Sequence, residues 1–173
     1  MTVPIGGLRG RYVRESIYQM LDEVLDDLGW YDTGSWFTPV NLRAIPVDDQ
    51  EEIVPNVVAL ADDDEDDFDL EMGSNLSEFR TVYYVDVYAE NGAVGLHIAR
   101  DLRDAIQGRY PSIGREAPSL SVLDYSLATP AEFTVVDFEN VSLNRAHDFP
   151  KAWQRYWYSI YFEVVDSYTD ENG

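Results

Sequence analysis

The stretch RTVYYVDVYA, Arg80 to Ala89, constrains this chain more than any other. Its residues alternate as a strand demands: Tyr83, Val85, Val87 and Ala89 share one face, and Tyr84, Asp86 and Tyr88 share the other. Both faces carry bulk, so a sheet built around this strand needs a layer on each side. The segment Trp153 to Asp166 makes the same demand. It puts Tyr156, Tyr158, Ile160, Phe162 and Val164 on one face and Trp153, Trp157 and Tyr161 on the other. Two helices can cover only one face of a sheet, so the second must meet another part of the chain or another subunit.

The helices are legible from spacing. Val13, Ile17, Met20, Leu21, Val24, Leu25 and Leu28 recur at helical intervals from Tyr12 to Leu28, and Gly29 stands where a helix stop belongs. The outer side carries Asp22, Glu23, Asp26 and Asp27 in the last two turns, where the helix macrodipole disfavours negative charge. A solvated acidic face is the simpler reading, and a dock for a cationic partner the sharper one. A second helix is predicted after Asn91, a residue suited to an N-cap, with Val94, Ile98, Leu102, Ala105 and Ile106 as its buried stripe and Gly108 as its stop. Between the helices GWYDTGSWF (29–37) reads as a loop. Strands are predicted at Val40 to Ile45, Asn56 to Ala61 and Phe68 to Met72, then at Leu120 to Leu127 and Glu132 to Leu143. The ending SYTDENG (167–173) reads as a frayed tail. Strands that hairpins can join, interrupted by two helices, give the α+β class. The expected architecture is a mostly antiparallel β-sheet with two α-helices packed on one face, in a single domain spanning residues 1–173.

Composition narrows the partners. Thirty-three acidic residues against 12 basic ones give a formal charge of −21, and Lys151 is the only lysine. A duplex binder needs cations to displace the counterions of phosphates, so nucleic-acid or anionic-membrane binding is not expected as the main function. Aromatics at 13% of the chain set it apart from a disordered acidic tail. There is no cysteine, which removes thiol nucleophiles and cysteine-bound metals. MTVPIGGLRGRYVRE has no apolar core of signal-peptide length, and no apolar run suffices for a transmembrane helix, so a soluble protein is expected.

The densest charge lies in LADDDEDDFDLEMG, Leu60 to Gly73, where eight acids surround a few apolar side chains. A calcium loop needs oxygen ligands at positions 1, 3 and 5, glycine at 6 and glutamate at 12. Counting from Asp62 puts Asp67 at the sixth place and Gly73 at the twelfth; counting from Asp63 puts Phe68 and Ser74 there. Neither register fits. The simpler reading is a solvated hairpin loop, Asp62, Asp63, Asp64, Glu65, Asp66 and Asp67, on a stem in which Phe68, Leu70 and Met72 alternate; an ion held by these carboxylates is the competing one. Catalytic signatures are missing. Gly34-Ser35 and Gly73-Ser74 do not sit in G-x-S-x-G, and His97 and His147 belong to no paired motif. No enzyme, cofactor or metal is expected. The arginines cluster as Arg9, Arg11 and Arg14 and as Arg100, Arg103, Arg109 and Arg115. Arg100 and Arg103 are expected to pair with Asp104 and neighbouring acids in the helix, with pairing between subunits as the alternative.

An N-terminal amphipathic helix, an acidic hairpin running into LEMGSNLSEFR, the strand, turn and helix YYVDVYAENGAVGLHIARDLRDAIQGR, and the ending FPKAWQRYWYSIYFEVVDSY follow in an order that resembles the tail terminator proteins of long-tailed, siphovirus-like bacteriophages. The likeness rests on Glu71-x-Gly73, on Val85-Asp86-Val87-Tyr88 leading to Asp101-Leu102-Arg103-Asp104, and on the spacing of Trp153, Trp157 and Phe162. It covers most of the chain, but Leu120 to Leu143 has no assigned counterpart.

The resemblance implies a structural virion protein without catalysis. Such a protein forms a ring, usually a hexamer, at the head-proximal end of the tail tube, where it ends tube polymerisation and joins tail to head. The implied partners are further copies of the chain, the major tail tube protein and the head-closure or neck protein. Genomic DNA would pass without specific binding, and no membrane takes part. The implied location is the virion, at the head–tail junction, after synthesis in the host bacterial cytoplasm. Phe68, Leu70, Met72, Tyr84, Tyr88, Trp153 and Trp157 are the candidate subunit-interface residues. Asp62, Asp63, Asp64, Glu65, Asp66 and Asp67 are candidates for the lumen or for open solvent; lining a channel, they would repel the phosphates of a passing genome. A head-closure or adaptor ring at the same junction, an acidic DNA-mimic binder and an ion-dependent hydrolase are the other readings.

Overall fold

The computed structural model describes residues 7–30, 57–69, 76–89, 91–145 and 156–169. The elements are α1 (Gly7–Asp27), β1 (Val57–Asp69), β2 (Leu76–Ala89), α2 (Gly92–Ile106), β3 (Ser119–Asp124), β4 (Ala131–Arg145) and β5 (Tyr156–Thr169), with a turn of 3-10 helix at Pro111–Ile113. All neighbouring strands run antiparallel, in the order β1-β2-β5-β4-β3. The protein is therefore α+β, with both helices sharing one core against one face of the sheet.

That core follows from the two periodicities. Ile17, Leu21 and Leu25 descend from α1, and Ile98, Leu102 and Ile106 from α2, all fully buried. They meet Tyr83, Val85, Ile160 and Phe162, which alternate inward from β2 and β5. Each fully buried aliphatic or aromatic side chain contributes about 1.5–3 kcal/mol. α2 lies over β2, β5 and β4, and α1 over β3. Gly95 permits the close approach of α2, since a Cβ there would stand 2.7 Å from the Cβ of Ala89. Tyr158 Oη donates to the Gly92 carbonyl at 2.9 Å and fixes the start of the same helix to β5.

Both helix ends behave as their sequences require. Asn91 Oδ1 accepts from the N–H groups of Ala93 and Val94, and so caps α2. Gly29 and Gly108 take positive φ, and each closes a paired stop. Gly29 N–H reaches Asp26 O while Trp30 N–H reaches Leu25 O; Gly108 N–H reaches Ala105 O while Arg109 N–H reaches Asp104 O. Trp30 then ties the two helices together. Its indole N–H donates to Asp101 Oδ2 at 2.9 Å, and Tyr110 Oη donates to Asp101 Oδ1 at 2.7 Å. Burial and this carboxylate push the Tyr110 phenol from 10.0 up to about 12.

Several expectations change. Residues 57–69 form one strand rather than two strands with an acidic loop between them; Asp62 pairs with Tyr83, Glu65 with Thr81, Asp66 with Arg80 and Asp67 with Phe79, across an irregularity between Asp62 and Glu65. Pairing along the whole of β2 carries the acids into the ladder despite their poor strand propensity. β3 ends at Asp124 rather than Leu127, because Asp124 Oδ1 accepts from Ser126 N–H and Oγ and turns the chain. Ser167, Tyr168 and Thr169 are paired with Glu78, Ser77 and Leu76, so they belong to β5 and not to a frayed tail. Leu120 to Leu143, unassigned by the resemblance, supplies most of the β3–β4 hairpin that packs on α1. In β4 a bulge between Glu139 and Ser142, with Asn140 at φ 53, shifts the alternation, so that Leu143 joins Phe138 at the core. The predicted strand at 40–45, most of the 29–37 loop, His147, Leu70, Met72 and Trp153 lie outside the described residues.

Candidate functional site

The side of the sheet opposite the helices holds the site. Register sets Tyr88 opposite Trp157, Asp86 opposite Ser159, Tyr84 opposite Tyr161 and Val82 opposite Glu163. Strand alternation places all eight on the helix-free face, while Tyr83, Val85, Val87, Tyr158, Ile160 and Phe162 point into the core.

Two aromatic pairs cross from β2 to β5. Tyr88 and Trp157 stack with ring centroids 5.6 Å apart, and Tyr84 meets Tyr161 edge to face at 5.6 Å. Asp86 lies between them, with Trp157 Nε1 donating to its Oδ1 at 3.1 Å and the Ser159 side chain donating as well. Burial pushes the Asp86 carboxyl above its ordinary value; the bonds from Ser159 and Trp157 oppose that shift without cancelling it. Burial and the neighbouring Asp86 likewise push the Tyr88 phenol upward. Towards β4 the face becomes ionic. Arg80 bridges Glu139 at 3.1 Å and Glu163 at 3.5 Å, Asn140 Nδ2 donates to Glu163 Oε2 at 2.7 Å, and Tyr161 Oη donates to Glu163 Oε1 at 3.0 Å.

Of the interface residues expected from sequence, the fold brings Tyr84, Tyr88 and Trp157 together. Phe68 takes the register position opposite Glu78, near the far end of the β1–β2 ladder. The acids Asp62 to Asp67 run along β1, an outer strand of the sheet, rather than a loop tip. Sequence reasoning grouped Asp86 with Tyr84 and Tyr88, but it missed the partners Ser159, Glu163, Arg80 and Asn140, which only the register supplies. It also expected Arg100 to pair within its helix. Arg103 does so, 2.9 Å from Asp104, with Arg109 at 3.9 Å from the same carboxylate. Arg100 is exposed and makes no ion pair among the described residues.

The arrangement offers indole and phenol faces for stacking, and carboxylates that accept hydrogen bonds. Among the described residues no group of three or more histidine, aspartate or glutamate side chains is placed to hold a metal ion, and no helix is long and apolar enough to cross a membrane. In comparisons with known proteins, neither a family model nor a curated protein matches this chain.

Proposed function

We propose that this chain is a structural, ring-forming virion protein of the tail terminator kind, which ends polymerisation of a phage tail tube and joins the tail to the head. The observation that carries this reading is the helix-free face, where the Tyr88–Trp157 and Tyr84–Tyr161 pairs flank a desolvated carboxylate on the side that neither helix covers. Tyr88 is itself buried, but Tyr84, Trp157 and Tyr161 keep part of their rings accessible, and such aromatic area is the usual material of a protein–protein contact. A contact between two different patches, repeated by rotation, closes into a ring. The order of elements, a helix, an acidic hairpin, a second helix and returning strands, accords with the resemblance. The high negative charge fits a ring through which DNA passes without sticking.

In a host making all the other phage proteins, loss of this chain should give tails of irregular, excessive length that fail to join heads. Loss of a head-closure protein should instead leave filled heads leaking DNA beside tails of normal length. Tail length and head attachment measured in the same micrographs separate the two, and normal infectious particles made without the chain would defeat both.

A further inference from the structure

β3 is the outer strand on the side of the sheet away from β1. Phe138 N–H donates to the Pro118 carbonyl at 2.8 Å, so from there the backbone groups of every second residue, Leu120 and Val122, bond to β4, and those of Ser119 and Ser121 point away from the sheet. Past the irregularity between Val122 and Leu123, the Leu123 N–H points outward as well. Two of these outward groups are already taken. The Ser119 carbonyl accepts from Arg115 Nη1 at 2.9 Å, and Leu123 N–H donates to Oγ of the buried Ser16 at 3.0 Å. Arg115 is set in place by its own backbone, which exchanges two 2.9 Å hydrogen bonds with Tyr110 around the turn at Pro111–Ile113. Its Nε reaches the Ala105 carbonyl near the end of α2 at 3.3 Å, and its guanidinium carbon lies 5.9 Å from the centre of the Phe138 ring. Nη2 is buried without a hydrogen-bond partner among the described residues, and desolvation pushes the Arg115 pKa below its ordinary value. A guanidinium held by carbonyls and a ring, with no carboxylate, is costly to keep, which asks for a role other than stability.

The strand itself supplies one. Ser119, Leu120, Ser121, Val122 and Leu123 carry no charge, whereas β1 carries six consecutive acids, so no like charges along β3 keep two such edges apart. Set antiparallel about a two-fold axis at Ser121, two β3 strands would place Ser121 opposite Ser121. Leu123 N–H of each copy would then meet the Ser119 carbonyl of the other. Those are the two groups that Ser16 and Arg115 occupy.

We propose that Ser16 and Arg115 form an autoinhibitory clasp on β3, which withholds its edge from two-fold pairing with β3 of a second copy. The clasp goes beyond the ring reading and does not depend on it, because a strand pair about a two-fold axis closes at two copies.

Removing the clasp tests it. The double variant Ser16→Ala, Arg115→Met should form dimers at a concentration about tenfold below any at which the wild type does so, measured by sedimentation velocity. Hydrogen exchange locates the contact: the Ser121 N–H should exchange freely in the wild type and about tenfold more slowly in the associated variant. Adding Ser121→Asp to the double variant sets two carboxylates face to face at the two-fold axis and should abolish the association. Should the double variant fail to fold, Arg115→Met alone frees the Ser119 carbonyl and should give weaker association with the same slowing at Ser121. A folded variant no more associated than the wild type overturns the clasp, as does association that survives Ser121→Asp. A Ser121 N–H already protected in the wild type overturns it too, since something else would then cover the edge. The ring reading is judged separately, by tail length, and its failure leaves each of these outcomes unchanged.

Discussion

Asp86 shows what one residue in an alternating strand can decide. Its folded-state pKa is raised by burial, so folding favours the protonated carboxyl. That contribution to stability is present below the unfolded value of 3.8 and is lost as pH rises through the raised folded value. At neutral pH the ionised group therefore costs the free chain stability. Asp86→Asn keeps the shape and an oxygen for the Trp157 indole while removing the charge. It should raise the melting temperature of the free chain at about pH 7, with the difference closing below about pH 4. A lower melting temperature at neutral pH would mean that the carboxylate already has a cation in the free chain. Period-2 alternation was enough to group Asp86 with Tyr84 and Tyr88. That the Trp157 indole bonds to it was not legible, because strand register is a long-range property absent from local sequence.

At the level of elements, the two helices were readable because their information is local: a spaced apolar stripe, an Asn cap and a glycine stop. The stops nonetheless differ. Gly29 and Gly108 have similar positive φ, but a Cβ at Gly29 would meet nothing within 4 Å, whereas one at Gly108 would stand 2.3 Å from the Ala117 carbonyl carbon. Gly29→Ala should cost about 1–2 kcal/mol, the penalty of the left-handed region. Gly108→Ala should cost clearly more, since backbone must shift as well. Urea unfolding of both variants checks this, and equal losses would mean that the Ala117 segment yields without cost. β1 was the least legible element. Aspartate is depleted in strands, so Asp62 to Asp67 looked like a loop, and only pairing with β2 draws it into the sheet. Tyr168 and Thr169 were likewise assigned to a tail because their polar surroundings gave no sign of their partners on β2.

For the molecule as a whole, the two outer strands matter most. At one side of the sheet, Leu123 N–H of β3 donates to Ser16 Oγ of α1 at 3.0 Å. At the other, β1 carries six consecutive acids, Asp62 to Asp67. An outer strand exposes backbone groups that invite another strand, and charge is a recognised means of refusing it. Replacing the five aspartates by asparagine and Glu65 by glutamine should therefore release edge-to-edge association, seen as rising light scattering and thioflavin fluorescence. A variant that stays monodisperse would show that something other than charge guards the strand. In the terms of polymer chemistry, a strand edge guarded by charge in this way is an unreactive end group, at which growth by strand addition stops.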